Sequence, residues 1–480
     1  MHYHLKIIYD IRRNEALSGK EQRSRIEIMN KQINLHHLPT SILGENTPEP
    51  LLYAFQRKSS AHAGGGSLPI NQAHFTERFD NALSEKTELS NHRCLYVHIP
   101  FCRVRCTYCN FFQHASSKSL VADYFNALMI ELKWKAQLAW TQAAPFHAVY
   151  IGGGTPTDLT ADQIEQLGKA IRSQFPLTPD CEITLEGRIN RFDEEMFDKS
   201  LEGGFNRFSF GVQSFNTKVR RSAKRLDDKE YVLRRIQELS DSEQAPIVVD
   251  LLYGLPYQTS EIWQQDLNDF LETNAHGVDL YQLIEMGGTP MKGMIDKGKL
   301  PQPASTEEKA YMYKYGVEFM NKHHLNRLSV NHWARSNRER SIYNSLAKTT
   351  AEVLPVGCGA GGNLGGVGIM QHRTLTSYIE SIKANQMPIA MMTQSTDSAG
   401  LFSMIKAGFD RGVLSRRQLL QHTSHDIFHY LMPLFKHWQK NGLVTVDDHY
   451  LSLTLAGEFW AVTLAQGVIS ALSQVNEKAA

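Results

Sequence analysis

The sequence predicts an α/β protein with a parallel sheet, and three observations carry the prediction. Short β-rich runs alternate with amphipathic helical stretches from Cys94 onward. Residues able to do chemistry gather at or just after the ends of those runs, where parallel α/β barrels build their sites. The chain is also globular in composition: 480 residues, 42 % hydrophobic and 21 % charged, a length that suits two or more packing units.

Residues 1–90 are the least patterned part. They hold Pro39, Pro48, Pro50 and the run Ala63-Gly64-Gly65-Gly66-Ser67-Leu68-Pro69, which cannot continue a helix or strand. This part reads as an N-terminal extension and linker, and Met29 is a candidate native start. Six strands follow within residues 91–300: Leu95–Ile99, Ala148–Ile151, Glu182–Leu185, Arg207–Phe210, Ile247–Leu252 and Val278–Ile284. Thr160 and Gln163 form a capping box, after which Ile164, Leu167 and Ile171 recur on one helical face. Leu120, Tyr124, Leu128 and Leu132 make a second stripe. Six strands rather than eight imply an incomplete barrel with a broad lateral mouth, suited to a large flat substrate.

Beyond Ser305 the alternation fades. Residues 301–395, with a glycine-rich segment at Gly357–Gly366, read as a capping and connecting region. Residues 396–480 read as a separate, mainly helical unit. Helical pattern from Leu401 to Trp438 leads to Gly442-Leu443-Val444-Thr445-Val446, a turn at Asp447-Asp448 and Leu451-Ser452-Leu453, which resembles the hairpin of a winged helix. Its mixed charge favours a packing or lid role over nucleic-acid binding.

With 51 Lys+Arg against 50 Asp+Glu, the net charge of +1 leaves no excess for coating a polyanion, so no nucleic-acid partner is expected. No apolar run reaches the roughly 18 residues of a membrane span and no secretory signal is recognisable, which predicts a cytoplasmic protein. Six cysteines in a chain of this length are too few for a disulfide scaffold.

Three of those cysteines, Cys102, Cys106 and Cys109, form C-x3-C-x2-C directly after the first strand. Three thiolates suit a soft metal or an iron–sulfur cluster. A trio would leave one iron of a cubane without a protein ligand and open to a small molecule. The other readings are a zinc site completed by His98 or His114, or unligated buried thiols. Zinc sets usually come as C-x2-C pairs, which this spacing matches poorly. Cys94, Cys181 and Cys358 stand alone and read as buried thiols.

Tyr96-Val97-His98-Ile99-Pro100-Phe101-Cys102, with Cys106, Tyr108 and Cys109, resembles the radical S-adenosylmethionine (SAM) enzymes of the oxygen-independent coproporphyrinogen dehydrogenase group. The resemblance continues through Gly152-Gly153-Gly154-Thr155-Pro156-Thr157, Gly211-Val212-Gln213-Ser214-Phe215-Asn216 and Asp250-Leu251-Leu252-Tyr253-Gly254-Leu255-Pro256. It implies an incomplete (β/α)6 barrel in which Cys102, Cys106 and Cys109 hold a 4Fe–4S cluster. It also implies that SAM, on the open iron, is contacted by Tyr96, Tyr108, Gly153, Gly154, Thr155, Glu186, Gln213, Arg225 and Asp250. Carboxylates would address its amino and ribose hydroxyl groups, and a guanidinium its carboxylate. The glycines would expose backbone groups to its methionyl part.

Departures from the pattern select a branch. Coproporphyrinogen dehydrogenases carry a further cysteine where this chain has Phe111. The haem-chaperone branch continues its glutamate as Glu-Ala-Asn-Pro and later carries His-Asn-x-x-Tyr-Trp. This chain reads Glu186-Gly187-Arg188-Ile189-Asn190 and Arg338-Glu339-Arg340-Ser341-Ile342-Tyr343-Asn344. Glu-Gly-Arg-Ile, with Ser329-Val330-Asn331-His332-Trp333-Ala334-Arg335, is similar to the haem-utilisation branch. That resemblance implies anaerobic opening of the haem ring by a methyltransferase, giving a methylated linear tetrapyrrole and free iron. It further implies haem as substrate and a low-potential electron donor such as flavodoxin or ferredoxin. The alternatives are a haem-binding chaperone or carrier of the same fold and a coproporphyrinogen dehydrogenase-like oxidoreductase. Arg188 and Arg335 are candidate propionate partners. His36, His37, His98, His114, His323, His324 and His332 are candidate axial ligands, with none preferred.

Overall fold

The computed structural model describes residues 32–58, 63–84, 92–110, 114–423 and 425–479; Met29 and Phe111 lie outside these. The chain forms two compact units, Gly66–Ser403 and a second composed of the segments on either side, through Gly65 and from Met404. This differs from a division into four consecutive segments.

Among its described residues the larger unit has a 13-stranded sheet. In chain order the strands are β1 Ser67–Pro69, β2 Arg93–Ile99, β3 Phe146–Gly153, β4 Leu177–Gly187, β5 Arg207–Gln213, β6 Ile247–Tyr253 and β7 Gly277–Gln282. Then come β8 Asn326–Arg327, β9 His332–Ala334, β10 Glu352–Val356, β11 Gly361–Leu364, β12 Val367–Gln371 and β13 Ile389–Ser395. Strands β2 to β7 are the six expected ones, parallel and in sequential order. A seventh parallel strand, β10, lies beside β2. The remaining strands extend the sheet antiparallel at both ends, β9 and β8 beyond β7 and β11, β12, β13 and β1 beyond β10. Among the described residues no pairing joins the two ends, so the barrel is not closed.

The parallel strands read as near-continuous apolar runs because both faces are covered. Val97, Ile99, Val149, Ile151, Ile183, Phe208, Val249, Leu251 and Leu280 are all wholly buried. The helix Ala161–Gln174 starts at the expected capping box, and Ile164, Leu167 and Ile171 face the sheet at 0 % exposure. On Lys118–Ala136, Tyr124, Leu128 and Leu132 are buried, but Leu120 in the first turn is 40 % exposed. That helix also buries an ion pair that its amphipathic stripe does not announce. Lys135 Nζ stands 2.6 Å from Glu131 Oε1 and donates to Pro355 O and Gln371 Oε1. Glu131 accepts in turn from Gly357 N and the Tyr378 hydroxyl. The glycine-rich segment forms a turn and strand β11, and Gly365-Gly366, both at positive φ, carry the chain into β12.

The smaller unit has a three-stranded antiparallel sheet, β14 Val413–Ser415, β15 Val444–Val446 and β16 Tyr450–Leu453, in the order β14-β16-β15. Asp447 Oδ1 accepts from His449 N and Tyr450 N and so builds the expected hairpin turn. Residues read as an extension are part of this core. Trp438 Nε1 donates to Ile42 O at 3.0 Å, Trp460 Nε1 to Pro50 O at 3.1 Å, and Phe55 packs edge-on against Trp460. Among the described residues no helix is long and apolar enough to cross a membrane.

Candidate functional site

The cysteine loop leaves β2 at Pro100 and is fixed on three sides. His114 N donates to Pro100 O (2.9 Å) and Cys102 N to His114 O (3.2 Å). The Thr107 hydroxyl donates to Ser222 O (2.9 Å), and Thr107 O accepts from Met291 N (2.7 Å). Cys102 and Cys106 are buried and Cys109 is half-buried.

Two cations face this loop. Arg188 Nη2 lies 3.2 Å from Cys106 Sγ and 2.8 Å from Val104 O. Arg225 Nη2 donates to the Tyr108 hydroxyl at 3.3 Å. Burial alone would raise the Cys106 pKa, but Arg225 and Arg188 overcome it and hold the thiol below its ordinary value. Burial keeps Cys102 above its ordinary value, opposed by the Thr155 hydroxyl 3.3 Å from its sulfur. The isolated cysteines differ. Burial pushes Cys94, Cys181 and Cys358 each up to about 12, as expected for inert thiols.

The glycine run works by close approach. A Cβ at Gly154 would stand 2.5 Å from Phe101 O and 3.1 Å from Cys102 Sγ; one at Gly153, where φ is +117°, would stand 2.8 Å from the His98 ring. Gly154 N donates to Ile99 O and Gly153 N to Glu186, so these amides are engaged inside the protein.

Glu186, near the end of β4, is enclosed; burial lifts its pKa to about 7, against the Gly153 amide, the Tyr150 hydroxyl and Arg225. Gln213 ends β5 at φ +73°, after an irregularity in the β5–β6 pairing. The space above Gly211 is closed by Gln213 Nε2 and Arg225 Nη2, which brings those two groups together. Asp250, inside β6, accepts from the Ser209 hydroxyl at 3.2 Å. Burial, Asp279 and Glu186 lift its pKa to about 7, with Arg207 and Ser209 opposing. Tyr96 donates or accepts at His98 Nδ1 (2.9 Å) and stacks with Tyr150 and Tyr343 inside the barrel. Tyr281 on β7, ringed by protein, is 40 % accessible and lines the mouth.

The structure therefore gathers Cys102, Cys106, Cys109, Tyr108, Gly153, Gly154, Thr155, Glu186, Gln213, Arg225 and Asp250 on the loops and inner faces at one end of the parallel strands. Arg335 is not among them. It lies at the opposite end, donating to Leu271 O (3.1 Å) in the last turn of the helix Ser260–Glu272 and to Ala275 O (3.1 Å) in the loop that follows. Its guanidinium is engaged by the backbone there, away from the residues gathered around the cysteine loop. Arg188 is in the site, but its guanidinium is committed to the cysteine loop. His332 is excluded as an axial ligand because both ring nitrogens face carboxylates, Asp279 at 2.7 Å and Glu339 at 3.1 Å. His98 and His114 are engaged by Tyr96 and by Arg373 O. A basin of about 830 Å3 that includes Lys169, Arg172 and Glu202 lies on the outer helices and holds none of the site residues.

Among the described residues no three Cys, His, Asp or Glu side chains close around a single ion, so the zinc alternative finds no ligand set. A cubane makes a different demand, because each thiolate binds its own iron and the sulfurs stay apart. The loop fits that demand: two buried thiols and a half-buried third, flanked by two guanidinium groups. Arg225 Nε is buried with no hydrogen-bond acceptor among the described residues, and Gln282 Oε1 likewise has no donor. The Arg225 donor, beside the cysteine loop, is placed where a polar ligand would fit.

The model of the radical SAM superfamily matches residues 96–270. The fold and site thus define a radical SAM enzyme, a class that uses a 4Fe–4S cluster and SAM. The chain belongs to this superfamily, in its group of coproporphyrinogen dehydrogenase-like proteins. It is 34 % identical over 415 residues to the anaerobilin synthase of Escherichia coli O157:H7, spanning 86 % of this chain and 92 % of that one. It is 26 % identical to the heme chaperone HemW of Bacillus subtilis, over 76 % of this chain and 95 % of the chaperone. Coproporphyrinogen III oxidase (HemN) of Escherichia coli shares the fold, with a TM-score of 0.72 at 24 % identity over 82 % of this chain and 93 % of that one.

Proposed function

We propose that this protein is a radical SAM methyltransferase that opens the haem macrocycle without oxygen, giving a methylated linear tetrapyrrole and releasing iron. The observation that carries the reading is the 34 % identity to an anaerobilin synthase across 92 % of that enzyme. The Glu186-Gly187-Arg188-Ile189 sequence and the phenylalanine at 111 support the same branch.

Cys102, Cys106 and Cys109 would hold the cluster, and Arg188 would fix the loop around the Cys106 sulfur. When bound, the cluster and SAM supply one-electron cleavage of a C–S bond, and SAM supplies the methyl group. The chain's own work is recognition and enclosure. Arg225 meets the SAM carboxylate with its free Nε–H, Glu186 accepts from the amino group, and Asp250 accepts from ribose hydroxyls while Gln213 closes the space beside Arg225. Tyr96, Tyr108, Thr155 and the glycines shape the walls. Haem, flat and largely apolar, enters by the lateral mouth. A low-potential donor such as flavodoxin or ferredoxin supplies the electron. Exposed Arg103, Arg105, Arg221 and Lys224 on and beside the cysteine loop suit an acidic donor. The reading places this reaction in the cytoplasm.

Anaerobic incubation of reconstituted protein with SAM, haem and a low-potential reductant, followed by mass spectrometry, tests the proposal. Loss of the haem absorption bands together with a methylated linear tetrapyrrole is expected. SAM cleavage with haem intact would favour a carrier; in a parallel incubation with coproporphyrinogen III in place of haem, oxidative decarboxylation would favour an oxidoreductase. Asp250→Ala should weaken SAM binding before it affects cluster content; unchanged SAM affinity would remove that assignment.

A further inference from the structure

Behind the proposed SAM contacts runs a buried row of charges that the reading above does not use. Pairing register places Asp250 of β6 beside Asp279 of β7, and Asp279 beside His332 of β9. His332 Nδ1 is 2.7 Å from Asp279 Oδ2, off the best hydrogen-bonding angle, so this contact is an ion pair first. His332 Nε2 lies 3.1 Å from Glu339 Oε1, and Glu339 takes three hydrogen bonds from Arg207 between 2.9 and 3.2 Å. Asp279, His332, Glu339 and Arg207 are each at most 4 % exposed.

With a carboxylate at each ring nitrogen, His332 has two acceptors and no donor, an arrangement that only the doubly protonated imidazolium satisfies. Glu339, neutralised by Arg207, holds the far side of the ring. Asp279 is therefore matched by His332, although it stands next to a second carboxyl group. Two adjacent carboxyls without such a cation share one proton, and the second ionises only at much higher pH.

We propose that His332 is a positioning residue for SAM: by pairing with Asp279 it leaves Asp250 free to ionise and accept from the ribose hydroxyls at neutral pH. This rests on the assignment of Asp250 above. The other groups facing Asp250 are Ser209 and Arg207 on β5, Glu186 on β4, Tyr150 on β3 and Tyr281 on β7. None is changed by the substitutions that follow, so their share of any pH profile is common to all variants. Against burial, which lowers it, the two carboxylates bring His332 to about 9 and keep the ring charged through neutrality.

The test is equilibrium SAM binding against pH on cluster-loaded protein, with cluster absorbance as a check on integrity. His332→Gln should shift the midpoint of SAM binding upward from about 7 by about one pH unit, roughly a fivefold loss of affinity at pH 7. Asp279→Asn should shift it downward, and the double variant should bind with a midpoint below that of His332→Gln. A double variant as impaired as His332→Gln would overturn the proposal, because a merely structural histidine gives that result. Should His332→Gln fail to fold, Asp279→Asn alone decides, and an unmoved midpoint counts against the proposal. Asp250→Asn separates the two levels: normal SAM affinity there removes the Asp250 assignment itself, whereas weakened affinity with unmoved midpoints in the other variants removes only the role of His332.

Discussion

At the mouth of the barrel, Arg225 keeps a buried N–H without an acceptor and Glu186 is lifted to about 7. At the floor, Arg207 is gripped by Glu339 through three hydrogen bonds and Glu339 is held down to about 2 by Arg207 and His332 despite its burial. Both regions set an arginine and a glutamate against the same sheet. The floor engages its charges with one another and so serves the fold; the mouth leaves Arg225 Nε without an acceptor and Glu186 only partly compensated, and in the proposed reading a ligand with an amine, a carboxylate and hydroxyls would complete them. Incomplete compensation, rather than charge as such, separates the site from the scaffold.

The largest effect that would sharpen this contrast is at the cysteine loop. Cys106→Ala should abolish cluster assembly and turnover, read as iron and sulfide content after anaerobic reconstitution; a variant with full 4Fe–4S absorbance and activity would contradict it. Next comes the scaffold. Lys135→Met leaves Glu131 buried and uncompensated, and should cost about 3–5 kcal/mol in denaturant unfolding of the larger unit. A fully matched pair predicts this loss, whereas an unmatched one would not.

Glu186→Gln should behave in the opposite sense. Burial raises the folded pKa of Glu186 above its unfolded value, so its ionised form opposes folding, and its contribution worsens as pH rises from the usual carboxylate range through about 7. The variant should therefore be more stable than the parent at pH 8 without cofactors, yet bind SAM more weakly. Equal stability at pH 8 would show that the mouth is not strained by its charge. The smallest effect is expected at Arg335→Ala, which removes a donor from Leu271 O, in the last turn of the helix Ser260–Glu272, and from Ala275 O in the loop after it: about 1 kcal/mol of stability, with haem affinity unchanged by titration.

The six parallel strands and the cysteine loop were legible because each leaves a local signature, a continuous apolar run or a fixed spacing. Strand β10 was not, since Pro355 interrupts its five residues and a glycine-rich stretch follows. The Lys135–Glu131 pair was equally hidden, because two charges four apart on a helix ordinarily face water. The charge row from Asp250 to Arg207 escaped for a different reason. Its members come from strands far apart in sequence, and each alone resembles a surface residue. The Ser329-to-Arg335 stretch did draw attention to His332, but only contacts on both ring nitrogens distinguish a clamp from a haem ligand. Arg335, three residues on, shows the cost of reading a motif without its geometry.

The smaller unit is assembled from two segments far apart in the chain, one through Gly65 and one from Met404, with the sequence of the larger unit between them. On the ribosome, Ile42, Leu52 and Phe55 emerge first and must wait about 400 residues for Trp438 and Trp460. Folding of this unit is therefore a late, long-range closure.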